Sequence, residues 1–84
     1  MEKLNSARGP KELGEAIAIL RKGRRLTQQQ LGEMADIKQN AISVIESGAE
    51  GVRISTLFKI LAALELEIVI RKRPKSKWSP EDTF

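Results

Sequence analysis

The sequence predicts a small, mainly α-helical domain of four to five helices, followed by a single C-terminal β-strand. Two observations carry this prediction. Apolar residues recur at helical spacing over residues 10–64, and the period then changes to alternation over residues 66–71. The chain offers no second strand, and a lone strand cannot satisfy its own backbone donors and acceptors. We therefore expect the strand to pair with its own copy across the two-fold axis of a homodimer. The residues expected in this dimer strand are Leu66, Ile68, Val69 and Ile70.

The first helix is predicted over residues 10–24. Gly9 can cap it, and Pro10 stands at the first helical position, where an amide proton has no partner inside the helix. The apolar stripe of this helix consists of Leu13, Ile17 and Leu20. Basic residues crowd its carboxyl end, where the helix dipole favours cations.

The second helix is predicted over about residues 28–35. Thr27 and Gln30 stand three positions apart, as a capping box requires, because each side chain can bond the backbone N–H of the other residue. Leu26 before the cap and Leu31 within the helix can form a hydrophobic staple. The start of this helix is therefore well defined by local chemistry.

Asp36 follows at a point where the chain must turn sharply, and aspartate tolerates the left-handed backbone region. A third helix is predicted from Lys38 to near Gly48. The segment "SGAEGVR" that follows contains two glycines and no periodicity, which indicates a loop.

A fourth helix is predicted over residues 56–64, with Ser55 as its cap. Its apolar residues are too many for one stripe, so we expect it to be buried on most sides, at the centre of the domain. These residues are Leu57, Phe58, Ile60, Leu61 and Leu64.

Composition excludes several functional classes. The 84 residues include neither cysteine nor histidine, which removes disulfides, most zinc chemistry and the usual general bases and nucleophiles. We expect no enzyme, no metal and no cofactor. No run is apolar enough to cross a bilayer or to serve as a secretory signal, so a cytoplasmic location is expected. The formal charge of +4 suits a polyanionic partner.

Two short helices joined by a tight turn describe a helix-turn-helix, in which the second helix enters the major groove of DNA. Glutamine and asparagine can each make paired hydrogen bonds to adenine, serine is adaptable, and lysine can reach guanine or a phosphate. The residues predicted to contact bases are Lys38, Gln39, Asn40 and Ser43. Neutral polar residues at a helix start are more often caps and solvated surface, but the preceding capped helix favours DNA reading here.

The stretch "LTQQQLGEMADIKQNAISVIESG" resembles the phage-repressor-like (Cro/cI, or Xre) helix-turn-helix family, and the resemblance covers residues 10–64. Together with "LFKILAALELEIVI" it is most similar to the HipB antitoxins. The resemblance implies a lambda-repressor-like fold and a homodimeric bacterial repressor, nucleoid-associated and bound to a palindromic operator. It also implies a HipBA-type toxin-antitoxin system, in which the protein represses its own operon and binds a HipA-type serine/threonine kinase toxin.

Further residue roles follow from this resemblance. Gln28 matches a phosphate-contacting glutamine, and Thr27, Arg53 and Ser47 are expected to contact phosphates as well. Arg21 and Glu46 match an ion pair that bridges the first helix to the end of the third. The carboxyl-terminal aromatic residues Trp78 and Phe84 are expected to bind the toxin.

The sequence departs from the family pattern at two positions. The family usually has glycine just before the Leu-Thr-Gln triplet, where this chain has Arg25, and glycine in the turn between the two helices, where it has Asp36. We divide the chain into a flexible N-terminal arm (residues 1–9), the helix-turn-helix domain with its dimerisation strand (residues 10–71, the strand at about 66–71) and a flexible basic tail (residues 72–84).

Two alternatives to the antitoxin stay open from the sequence. One is a phage-type Cro/cI-like repressor without a toxin. The other is a partner-binding module whose helix-turn-helix no longer reads DNA sequence.

Overall fold

Four α-helices follow one another in residues 6–73, the part of the chain that the computed structural model describes. They are α1 (Pro10–Gly23), α2 (Gln28–Ala35), α3 (Gln39–Glu46) and α4 (Ile54–Ala63). The mainly α-helical fold is confirmed, and the first two helices have the bounds predicted for them to within one residue.

Each helix contributes one fully buried aliphatic side chain to a shared core. These side chains are Ile17, Leu31, Ile42 and Ile60, each at most 1% exposed. Ile45 and Leu64 extend the same cluster. Because burying one such side chain stabilises the fold by roughly 1.5–3 kcal/mol, a small set of residues can hold four short helices together.

The start of α2 is closed as the sequence predicts. The Thr27 hydroxyl oxygen accepts a hydrogen bond from the backbone N–H of Gln30 at 3.0 Å, and the Gln30 side chain accepts one from the backbone N–H of Thr27 at 2.8 Å. Leu31 is fully buried and Leu26 packs against the core cluster that contains it. The capping box is therefore confirmed.

All four helices end in the same hydrogen-bond pattern, in which a backbone N–H bonds the carbonyl oxygen five residues earlier. The four bonds are Leu26 to Arg21 at 3.2 Å, Ile37 to Gly32 at 2.8 Å, Ala49 to Val44 at 3.3 Å and Leu66 to Leu61 at 2.8 Å. Each closure contains one left-handed residue, namely Arg25, Asp36, Gly48 or Glu65, with φ of 60°, 59°, 88° and 60°. The left-handed backbone predicted for Asp36 is thus confirmed, and three of the four closures carry a side chain where glycine would be favoured.

Two glycines allow the helices to approach closely. A Cβ atom at Gly14 would collide with the carbonyl oxygen of Ile45 and lie 2.8 Å from that of Glu46, so the backbones of α1 and α3 can approach this closely only because Gly14 has no side chain. A Cβ at Gly32 would lie 2.5 Å from the carbonyl oxygen of Ile37, in the turn before α3. The close approach of α3 to α1, and of the turn before α3 to α2, therefore requires glycine at positions 14 and 32.

The fourth helix begins earlier than predicted, and Ser55 does not cap it. The helix starts at Ile54, its N-cap is Arg53, and no side chain makes a capping hydrogen bond. The backbone of Arg53 is extended, with φ −68° and ψ 137°, which already supplies the geometry of a cap. Ser55 lies inside the first turn instead, so the prediction of its capping role is wrong.

Burial of α4 is also more one-sided than predicted. Ile60 and Leu61 are buried, whereas Ile54 is 69% exposed and Phe58 is 50% exposed. The excess of apolar residues on this helix therefore lies on a face that a single chain leaves uncovered.

The C-terminal segment, residues 66–71, forms neither a helix nor a strand within the described chain. Leu66 packs against the core, and Ile68, Val69 and Ile70 are 46%, 67% and 94% exposed. Because a strand is defined by pairing and one chain presents no neighbour to pair with, the dimer strand stays a prediction.

Several sequence predictions lie outside the described residues. These are the first five residues of the N-terminal arm and residues 74–84 of the tail, which include Trp78 and Phe84. Within residues 6–73, no helix is long and apolar enough to cross a membrane.

Candidate nucleic-acid interface

The α2 and α3 helices form a helix-turn-helix unit. Only residues 36–38 separate them, and the turn is fixed at both sides. Asp36 adopts the left-handed conformation with φ 59° and ψ 48°, and the N–H of Ile37 closes α2 through its bond to Gly32. Lys38 then caps α3 with an extended backbone of φ −68° and ψ 145°. The two helices are thus held in one geometry by local bonds.

One face of α3 packs against the core and the other faces solvent. Ile42 and Ile45 are 0% and 5% exposed and hold the helix to the domain. The predicted base-contacting residues all lie on the exposed side, namely Lys38, Gln39, Asn40 and Ser43. Their side chains make no hydrogen bond within residues 6–73, which leaves their donors and acceptors available to a partner. The structure therefore brings this predicted set together at the start of one helix.

Val44 shares this exposed face, and the sequence analysis did not single it out. The residue is 44% exposed and follows Ser43 directly. Helical periodicity could have found it, because a residue turned away from both Ile42 and Ile45 must face outward.

A buried polar network holds the C-terminal end of α3 against α1 and α2. Arg21, in α1, is 7% exposed and donates from Nε to Oε2 of Glu46 at 2.7 Å and from Nη2 to Oε1 at 3.1 Å. Its Nη1 donates to the carbonyl oxygen of Leu26 at 2.6 Å. This places the predicted ion pair at the contact between α1 and the last residue of α3, with both side chains less than 10% exposed.

Gln28 joins the same network. Its amide Nε2 donates to Oε1 of Glu46 at 3.0 Å. The carboxylate of Glu46 thus receives bonds from α1 and α2 while belonging to α3, and all three helices meet at one group. No sequence pattern predicts the contact between Gln28 and Glu46, since it depends on how the helices cross.

The network also determines the ionisation of Glu46. Burial by itself raises the pKa of this carboxyl, but the hydrogen bonds from Arg21 and Gln28, together with the positive charges of Arg21 and Lys22, lower it by more. The net effect is a pKa below the ordinary value of 4.5. Glu46 is therefore an ionised partner of Arg21 at neutral pH.

The predicted phosphate-contacting residues lie at helix ends. Thr27 caps α2, and its hydroxyl uses only its oxygen in the capping bond, so the O–H proton stays available to an acceptor. Ser47 follows α3 and donates its hydroxyl to the carbonyl oxygen of Val44 at 2.7 Å. Arg53 is exposed at the N-cap of α4, beyond the loop. Of these, Ser47 is already engaged as a donor within its own helix end.

No cluster of three or more metal-ligating side chains is present in residues 6–73. The site formed by the predicted base-contacting residues supplies hydrogen bonding and charge. It consists of amide, hydroxyl and ammonium groups presented together on a rigid helix.

Comparison with known proteins identifies relatives of this unit. Residues 17–70 match the family model of helix-turn-helix proteins. Antitoxin HipB of Escherichia coli strain K12 is 34% identical over 74 residues, which are 88% of this chain and 82% of the relative. Antitoxin HipB of Escherichia coli O6:H1 strain CFT073 is 34% identical over 61 residues, which are 73% of this chain and 65% of that relative.

Solved structures give a similar result. The chain resembles one in a HipA-HipB-O2-O3 complex with a TM-score of 0.75 and 31% identity, over 81% of this chain and 96% of that chain. It resembles one in a HipB-O4 20mer complex with a TM-score of 0.76 and 31% identity, over 81% of this chain and 96% of that chain.

Proposed function

The chain belongs to the Xre (Cro/cI)-type helix-turn-helix family, with HipB antitoxins among its relatives, and we propose that it is a sequence-specific DNA-binding repressor that acts as the antitoxin of a HipBA-type system. The observation that carries the proposal is the exposed first turn of α3. It presents ammonium, amide and hydroxyl groups together on a helix that the core and the Glu46 network hold in place.

In this proposal α3 lies in the major groove of DNA. Gln39 and Asn40 act as the direct readers, because a carboxamide can both accept from N6 and donate to N7 of adenine. Ser43, one turn after them, bonds a neighbouring base edge. Lys38 reaches guanine acceptors or an adjacent phosphate.

Phosphate contacts position the helix in the groove. Thr27 and Gln28 stand at the start of α2, where backbone N–H groups and the helix dipole also favour an anion. Arg53 lies beyond the end of α3 and contacts the next stretch of the DNA backbone. Ser47 contacts the same stretch when its hydroxyl proton turns from the carbonyl oxygen of Val44 to a phosphate oxygen. The DNA affinity that these phosphate contacts contribute declines as the salt concentration rises, and it does not depend on the base sequence.

We also propose a homodimer that binds a palindromic operator. The support is the exposed apolar segment Ile68, Val69 and Ile70, together with the uncovered face of α4 at Ile54 and Phe58. Strand pairing between two copies would cover these side chains and satisfy the backbone of residues 66–71. Two recognition helices would then meet half-sites about 34 Å apart.

The antitoxin role implies a HipA-type serine/threonine kinase as the second partner and repression of the shared operon. This part is supported by similarity to the HipB antitoxins and to the chain in the HipA-HipB-O2-O3 complex. The tail residues Trp78 and Phe84 are proposed as the toxin contacts, since aromatic anchors commonly dominate binding energy at interfaces.

Selection of bound sequences from a random DNA pool tests the central claim. We expect one enriched palindrome, and we expect the double substitution Gln39→Ala with Asn40→Ala to reduce its affinity at least tenfold while leaving binding to random DNA within about twofold. Ser55→Ala with Lys59→Ala, on the exposed surface of α4, serves as the matched control and should keep specific affinity. A pool without enrichment would instead favour the partner-binding module.

Two further measurements separate the remaining claims. Sedimentation should give a dimer for the wild type and for Val69→Thr, and a monomer for Val69→Pro, because proline removes an N–H from the strand ladder.

Co-purification with the kinase-like protein encoded beside the gene should fail for the double substitution Trp78→Ala with Phe84→Ala. If no kinase-like protein is encoded beside the gene but the protein still binds its selected operator, the phage-type repressor without a toxin would be favoured.

A further inference from the structure

Val44 interrupts an otherwise polar surface. It is the apolar member of the exposed face of α3, lies one helical turn after Asn40 and is 44% exposed. Ile42 and Ile45 fill the core from the opposite side, so Val44 contributes nothing to the shared cluster. Its side chain is therefore accessible to a partner that approaches this face of α3.

The backbone of Val44 is also held rigidly. Its carbonyl oxygen accepts the Ser47 hydroxyl at 2.7 Å and the N–H of Ala49 at 3.3 Å, which together close the end of α3. A valine in a helix is nearly restricted to one side-chain rotamer. The two methyl groups of Val44 therefore occupy a defined position beside the polar readers.

Only one base presents an apolar group in the major groove, namely the C5-methyl of thymine. We propose that Val44 contacts this methyl group and so specifies thymine at one position of each half-site, next to the bases that Gln39 and Asn40 read. The inference rests on the proposed function, because it requires α3 to lie in the major groove. It adds an apolar reader to a set that had only hydrogen-bonding members.

The test replaces thymine by deoxyuridine, which removes the methyl group and keeps every hydrogen-bonding atom. Each thymine of the selected operator is replaced in turn, and affinity is measured for the wild type and for Val44→Ala. For the wild type we expect one replacement per half-site to weaken binding about three- to tenfold, as the loss of one buried methyl contact predicts. For Val44→Ala the same replacement should change affinity less than twofold.

Two variants make the result specific. Alanine has a higher helix propensity than valine, so Val44→Ala should fold. Met34→Ala removes an exposed apolar side chain from α2, where Met34 is 51% exposed, and should retain the full uracil effect. An enriched operator with no uracil effect at any position, or with equal effects in the wild type and Val44→Ala, would overturn the inference. A pool that enriches no sequence at all would contradict the proposed function instead.

Discussion

Arg21 and Glu46 form a buried, two-bonded ion pair that ties the first helix to the last residue of the third, with Nε to Oε2 at 2.7 Å and Nη2 to Oε1 at 3.1 Å. The carboxylate of Glu46 also receives the amide of Gln28 at 3.0 Å. Since three helices meet at this one group, its removal should affect the whole domain and the orientation of α3 in particular.

Glu46→Gln should lower the free energy of unfolding by about 2 kcal/mol or more, because it leaves the charge of Arg21 buried beside a neutral group. Urea denaturation measures the change. The matched control is Glu65→Gln, which removes a carboxylate that lies 3.6 Å from Arg24 on the surface and should cost less than about 1 kcal/mol. Equal losses in the two variants would contradict the importance of the buried pair.

The stabilisation from Glu46 should depend on pH. Its pKa is lower in the folded chain than its ordinary value of 4.5, so the ionised form favours folding. This contribution is complete above the ordinary value and is lost as pH falls through the lower, folded value. The difference in free energy of unfolding between the wild type and Glu46→Gln should therefore stay constant at neutral pH and shrink below about pH 4.5. A difference that grows on acidification would have the wrong sign.

Gly14→Ala should destabilise the chain by about 1–3 kcal/mol, because the added methyl group would collide with the backbone of Ile45 and Glu46 and force α1 away from α3. Gly23→Ala, in the same helix, is the control. No atom lies within 4 Å of the Cβ it would add, and alanine favours helix, so thermal denaturation should show an unchanged or slightly raised midpoint. Similar midpoints for both variants would show that α1 has room to move.

Arg25→Gly should raise the free energy of unfolding by about 0.5–1 kcal/mol, because glycine adopts the left-handed conformation at φ 60° without the steric cost that arginine bears. Lys22→Gly, three residues earlier within α1, should instead lower it by about 1 kcal/mol, since the backbone there is helical. Chemical denaturation of both variants gives the comparison. A loss of stability in Arg25→Gly would mean that the arginine side chain contributes more than its backbone strain costs.

Local features of the fold could be predicted from the sequence because their causes lie within a few residues. The capping box of Thr27 and Gln30 and the left-handed Asp36 depend on side chains next to the bonds they make. The position of Gln39 and Asn40 on an exposed first turn follows in the same way from helical periodicity.

Features that depend on how helices cross could not be predicted. The bond from Gln28 to Glu46 exists only because α2 and α3 meet at a certain angle. Phe58 was expected to be buried but is 50% exposed, because an apolar composition does not distinguish burial inside one chain from a face left for a partner. Ser55 was misassigned because a hydroxyl before an apolar run indicates a cap only when the backbone at that residue is extended.

The exposed side chains of Lys38, Gln39, Asn40 and Ser43 make no hydrogen bond within the described chain, and Val44 is 44% exposed and not a member of its core cluster. The parts of α3 that would meet DNA are thus separate from the parts that keep it folded. It follows that residues could be exchanged on this face at little cost in folding free energy. A library of variants at these five positions should therefore consist mostly of folded proteins, and the same scaffold could be directed to new operators.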